Sequence, residues 1–203
     1  MDVTPNGCHV HEELAKDENL RIEWQKMLSG EVYEAQLPAF QRILMKTRKI
    51  LKRFNNLEPD DPELADIIRG LFGSCGRNFA INQPFRCDYG CNISVGNDFF
   101  ANFNLTILDE ALVTFGDHCF IGPNVSIYTA CHPLDCVERD KGVEWAEPVT
   151  ICNSVWLGGN STILPVVTIG DNCVIGAGSV VTHDIPSNSV AVGNPARVIR
   201  KLQ

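Results

Sequence analysis

His132 is the residue of this chain best placed to do chemistry. It stands in "YTACHPLDC" (128–136), at the head of an irregular, polar stretch, "YTACHPLDCVERDKGVEWAEP" (128–148), that interrupts a regular pattern on either side. Pro133 follows it, which confines His132 to extended backbone and sets the direction of its ring. A long irregular loop inside a regular array is usually functional. A neutral imidazole, with an ordinary pKa of about 6.5, can take the proton of a weakly acidic hydroxyl as that oxygen attacks an activated carbonyl. Trp156 reads either as core or as an aromatic wall of the kind that suits sugar rings. Arg197 and Arg200, three apart, would share one face of a helix and suit phosphate groups.

Metal chemistry is less well provided for. Histidine sites need about three convergent ligands. His9 and His11 lie at the N-terminus, and His118, His132 and His183 are spread along the repeat with no close pair. Cys87 and Cys91 are four apart, but no matching doublet follows them. No metal is expected. The nine cysteines, odd in number and without an export signal, fit reduced thiols better than a disulfide framework.

The elements that must position these residues follow a period of six. Val95, Ala101 and Ile107 form one series; Phe115, Ile121 and Ile127 a second, after a two-residue slip near "LDEALV"; Ile151, Leu157, Ile163, Ile169, Ile175 and Val181 a third. Every position is apolar, and Gly follows at 96, 116, 122, 158, 170 and 176. A helix of 3.6 residues per turn would smear this pattern around its surface. Six residues suit a short strand and a corner, with Gly or Asn taking the unusual φ at the corner. Three such units close one triangular coil, and coils stack with parallel strands about 4.8 Å apart. The expected fold is therefore mainly β, a parallel β-helix of hexapeptide repeats over 74–191, interrupted by the loop 128–148. Residues 19–73 carry helical spacing and read as two or three helices capping the first coil, with Asp61 before Pro62 as an N-cap. Residues 1–18 are expected to be flexible, and 192–203 to form a tail or short helix.

The chain has 203 residues and a net charge of −8, a poor electrostatic match for nucleic acid. The basic run "KTRKILKR" (46–53) reads as the solvated face of a helix. No apolar run is long enough for a bilayer, and "MDVTPNGCHVHEEL" is too acidic and polar for a signal peptide, so the cytoplasm is expected.

The segments "KMLSGEVY" (26–33), "FRCDYGCNISVGNDFFANFNLTILD" (85–109), "YTACHPLD" (128–135), "VTICNSVWLGG" (149–159), "VTIGDNCVIGAGSVVTHDIP" (167–186) and "VGNPARVIRKL" (192–202) together resemble the sugar O-acetyltransferases of the maltose and galactoside acetyltransferase family. The resemblance implies a left-handed β-helix, a homotrimer with active sites between subunits, acetyl-CoA as donor and a sugar hydroxyl as acceptor. It implies His132 as the general base and Asn102, of "ANFN", beside the thioester and acceptor. Gly159, Ala177, Thr182 and His183 would line the acetyl-CoA arm, with Arg197 and Arg200 facing the nucleotide phosphates. Asp88, Glu110 and Trp156 would meet the acceptor. His183 stands where the family usually has Lys, which weakens a phosphate contact at neutral pH. Asp88 is the maltose-type residue where the galactoside type has Ser, and Ala35 replaces an acceptor-binding Asp of the galactoside type. These departures argue against strict galactoside specificity. The alternatives are acetyl transfer to a non-sugar acceptor such as serine or an antibiotic, a metal-dependent lyase, and a non-catalytic binding scaffold.

Overall fold

A computed structural model describes residues 8–203. The apolar series form strands of two to four residues, stacked into three parallel sheets that are visited in turn. The first face holds Ser74–Cys75, Ile93–Val95, Val113–Phe115, Val149–Ile151 and Thr168–Ile169. The second holds Ala80–Ile81, Phe100–Ala101, Phe120–Ile121, Trp156–Leu157, Val174–Ile175 and Ser189–Val192. The third holds Phe85–Cys87, Leu105–Leu108, Ser126–Tyr128, Thr162–Ile163 and Val180–Val181. The inward residues are the apolar ones of the repeat, buried from coil to coil in one continuous core. Each such Ile, Val or Leu contributes about 1.5–3 kcal/mol by leaving water.

Pairing sets the length of each coil. Cys75 pairs with Val95 and Val95 with Phe115, a separation of 20 residues, whereas Ile151 pairs with Ile169, a separation of 18. The two extra residues of the early coils fall at the corner between the third face and the first. The loop 128–148 leaves the solenoid at that same corner one coil higher, so the two-residue slip and the break in the repeat belong to one edge of the prism.

The corners divide the work between residue types differently from the sequence expectation. The left-handed backbone position is taken by Asn78, Asp98, His118, Ser154, Asn172 and Asn188 on the first corner stack, all with φ between +52° and +58°. The glycines that follow the inward residues do not have positive φ. They are there for close approach: a Cβ on Gly96 would lie 2.5 Å from Asp117 Oδ1 and 2.6 Å from the Gly116 carbonyl carbon.

Helices α1 (His9–Leu14), α2 (Glu18–Ser29), α3 (Pro38–Phe54) and α4 (Glu63–Leu71) close the lower end. Leu51, Phe54, Ile68 and Leu71 join the coil core. Asn55 pairs both backbone groups of Phe85 at 2.9 Å, so one side-chain amide finishes the open edge of the third face. The Asp61 carboxylate accepts from Glu63 N–H at 2.9 Å, the capping role expected of it. Residues 8–18 are not a loose tail. Val10 is fully buried, His9 Nε2 lies 3.0 Å from Thr47 Oγ1, and Lys46 donates to Glu13 at 2.7 Å, which together fasten α1 to α3. The remainder of the stretch expected to be flexible, 1–7, lies outside the described residues. At the other end, Arg197–Lys201 is neither tail nor helix but a strand antiparallel to Ser189–Val192. The adjacent β-branched Val198 and Ile199 favour extended backbone, and the second face has an edge to fill. No helix of the described residues is long and apolar enough to cross a membrane.

Candidate active site

The three corner stacks are chemically unlike. On the first, the middle N–H of each corner is satisfied by a side chain from the coil above: Asn97 N–H by Asp117, Asp117 N–H by Asn153 and Asn153 N–H by Asp171, at 2.7–2.9 Å. On the second, the corresponding groups at Gly159 and Ala177 have no acceptor among the described residues. Gly159 is half-buried, where an N–H is rarely left without a partner, whereas Ala177 is exposed and its N–H is open to water. The two donors lie one coil apart, about 4.8 Å, and are available to a ligand with its own carbonyls. Gly159 is also a packing residue, because a Cβ there would sit 3.0 Å from Pro123 O. One coil below Gly122 stands Asn102, whose Oδ1 accepts the Phe103 N–H at 2.8 Å. Trp156 lies beside this stack on the outer side of the second face, paired with Phe120 and Val174 and 55% exposed, so it is not a core residue.

The third corner stack gathers Asp88, Tyr89, Asp109, Glu110, Thr129 and the loop. Asp109 is fully buried and accepts three backbone N–H groups, from Asp88, Tyr89 and Gly90, at 3.0, 2.9 and 2.6 Å. Burial, the largest influence, outweighs these donors and raises its pKa to about 8. Burial, with the charge and hydrogen bond of Asp88 behind it, raises Glu110 to about 9. The Thr129 hydroxyl accepts from Ala111 N–H at 2.9 Å, and its own hydrogen is offered to Leu108 O at 2.8 Å and to Glu110 Oε2 at 3.2 Å. Burial favours the protonated form of Glu110, which can donate to a hydroxyl as well as accept from one, with the Asp88 carboxylate near it.

From Thr129 the chain runs out as a hairpin, Ala130–Cys131 against Trp145–Ala146, with the short helix α5 (Cys136–Asp140) at its tip. Arg139 binds the carbonyls of Pro133 and Leu134, each at 3.0 Å, and so fixes the turn after His132. The His132 Nδ1 lies 3.1 Å from Val143 O across the hairpin. A carbonyl can only accept, so Nδ1 carries the proton and Nε2 is left with its lone pair, the form a general base requires. The ring is exposed in the single chain. Beside the hairpin, a cavity of about 260 Å³ is lined by Val32, Tyr33, Glu34, Ala35, Gln36 and 141–143.

The candidate residues thus divide. His132, Asp88 and Glu110 share the third corner stack, as do Thr182 and His183, which are bonded to each other at 2.7 Å two coils above the loop. Asn102, Gly159 and Ala177 share the second. A strand-length of about five residues, roughly 16 Å, separates the two stacks within one chain. Arg197 and Arg200 lie above the second face. They are not on a helix, yet they face the same way: Arg197 opposes Val192 and Arg200 opposes Val190, because a register slip between Val190 and Ala191 restores the parity that three residues of plain strand would lose. Among the described residues no three His, Cys, Asp or Glu side chains converge as a metal site requires, and His118 pairs with Asp98 at 3.5 Å instead. Tyr33, Asp109, Thr129 and Glu144 went unnoticed in the sequence; their partners lie 18–111 residues away, beyond any local pattern.

A maltose acetyltransferase hexapeptide capping motif matches residues 26–76, and a bacterial transferase hexapeptide motif of six repeats matches 148–183. The galactoside O-acetyltransferase of Escherichia coli K12 is 40% identical over 179 residues, 88% of this chain and 88% of that one. A maltose O-acetyltransferase structure from Clostridium difficile 630 superposes with a TM-score of 0.87 at 49% identity, covering 89% of this chain and 97% of that one. A galactoside acetyltransferase in complex with coenzyme A gives 0.86 at 39% identity, covering 89% and 91%.

Proposed function

The chain belongs to the hexapeptide-repeat acetyltransferases of the maltose and galactoside type, and from that premise we propose how its residues transfer an acetyl group from acetyl-CoA to a sugar hydroxyl. It is an acyltransferase, and acetyl-CoA supplies the activated thioester. His132 Nε2 takes the proton of the acceptor hydroxyl as its oxygen attacks. The Gly159 N–H receives the charge that develops on the thioester oxygen, and His132 then returns its proton to the departing thiolate. Asp88 and the protonated Glu110 hold the acceptor hydroxyls, and Trp156 gives an apolar wall. The unpaired N–H groups of Gly159 and Ala177, with the two arginines above them, fit an extended arm that ends in phosphates. From the coil that leads into His132 to the strand of Arg197 is four strand spacings, roughly 19 Å.

The observation that carries this reading is the division between corner stacks. Base and acceptor groups occupy one edge of the prism, donors for the acyl arm another. A second copy, set so that its second corner stack meets the first copy's third, brings both halves into one cleft. Repeating that contact around a three-fold axis closes a homotrimer with three sites. Nine free thiols suit a reducing compartment, and the cytoplasm is our placement. Changing His132→Ala is expected to lower kcat by about 10²–10⁴ while acetyl-CoA binding, measured by calorimetry, stays within about two-fold. Unchanged turnover would remove His132 from the reaction.

A further inference from the structure

We propose that Tyr33 and Glu144 are positioning residues for His132, holding the strand carbonyl that fixes its tautomer; the inference rests on the acetyl-transfer reading. The hairpin carrying His132 leaves the solenoid as a two-stranded ribbon, and a lone ribbon of this kind is marginal in water. Its outer part, 134–141, is exposed throughout. The carbonyl that receives the His132 Nδ1 proton, that of Val143, lies on the returning limb. That limb needs an anchor, and the neighbouring residue supplies one. The Tyr33 N–H donates to Glu144 O at 3.2 Å, forming an isolated antiparallel bridge, and the Tyr33 hydroxyl donates to Glu144 Oε1.

The anchor on the other side is rigid. Tyr33 is buried in the helical cap, its ring 5.5 Å from that of Phe40. Burial, then the charges and hydrogen bond around it, drives its pKa far up, so its hydroxyl stays a donor. Gln36 lies against Gly142, close enough that a Cβ there would fall 2.5 Å from its Nε2, which steadies the residue before Val143 from the same strap. The tie spans 111 residues of sequence and joins the cap to the catalytic loop. If the Val143 carbonyl drifts by an ångström, His132 loses the acceptor that keeps Nδ1 protonated and Nε2 basic. Rate is sensitive to misplacement on this scale.

The test compares Tyr33→Phe, Glu144→Ala, Glu144→Gln and the double variant Y33F/E144A. It reads kcat, both KM values and the His132 tautomer by long-range ¹H–¹⁵N NMR. Glutamine keeps an acceptor for the tyrosine hydroxyl. Y33F and E144A are expected to lose about 10-fold in kcat with the acetyl-CoA KM unchanged, the double variant falling no further, and E144Q to stay within about three-fold of the parent. In Y33F and E144A the His132 ring should show mixed tautomers. The proposal is overturned if E144Q is as impaired as E144A with a raised acceptor KM, which would make the carboxylate an acceptor contact. It is equally overturned if Y33F lowers the melting temperature while kcat and tautomer stay as they were. The tautomer readout needs no turnover, so failure to acetylate any sugar would count against the functional reading and leave this inference standing or falling by itself.

Discussion

Replacing Glu110 by Gln should flatten the pH dependence of stability on the alkaline side. Burial and Asp88 raise Glu110 to about 9, against about 4.3 for an unfolded glutamate. A raised folded pKa means the folded chain holds a proton that the unfolded chain releases. Its stabilisation is complete below the unfolded value and is lost as pH climbs towards the folded one. Each pH unit inside that window is worth about 1.4 kcal/mol, so from about pH 5.5 to 8.5 the upper bound is ~4 kcal/mol. The Glu110 shift depends in part on the charge of the neighbouring Asp88, so about half that bound, ~2 kcal/mol, is expected. Glutamine can still accept from the Thr129 hydroxyl through its amide oxygen but does not titrate. The gap between the melting points of the two proteins at equal concentration should therefore widen by about 4–8 °C from about pH 5.5 to 8.5, in favour of the variant. Taking the difference cancels other titrations, including that of the Cys8 thiol, which its bond to Cys91 pulls down to about 5 and which acts in the opposite direction. Carboxylates held low, such as Glu13 and Glu23, lose their effect only below the window. Parallel curves for the two proteins, or a parent that gains on the variant as pH rises, would refute the placement of the proton on Glu110.

Two other substitutions probe the scaffold. Val166 is an exposed β-branched residue at φ +73°, and Val166→Asn should relieve about 1 kcal/mol, seen as a melting point higher by about 2–4 °C. Asn55→Ala removes both hydrogen bonds to the edge residue Phe85 and should cost about 1–3 kcal/mol in urea unfolding with little change in slope.

The repeat was readable because period six is tied to a physical object, the side of a coil, and the inward residues keep it everywhere except at the corner between the third face and the first. The reading of the glycines was half right, since apolar stacking alone does not say whether a corner needs positive φ or bare proximity. Here Asn, Asp, Ser and His take the first need on the first corner stack and the Gly after each inward residue the second, while Gly178 on the second stack also has positive φ. Helix α1 escaped notice because its six residues are short and polar by composition, and its burial comes from α3 rather than from its own pattern. The terminal strand was misjudged from the spacing of two arginines, although Val198–Ile199 carried a β signal. His132 was legible as a break in a rhythm followed by proline. The carbonyl that orients it was not, because Tyr33 and Glu144 meet only once the solenoid has closed.

The claim that matters most is that each site is built by two chains. It is tested by co-expressing His132→Ala and Asn102→Ala proteins under different tags and purifying the mixed oligomers. Each variant alone should be nearly inactive. In mixed trimers an intact His132 from one chain meets an intact Asn102 from its neighbour at one site in three, so about one third of the parent activity should be recovered. Mixed oligomers as inactive as either parent would place both residues in a site made by a single chain and contradict the assembly proposed here.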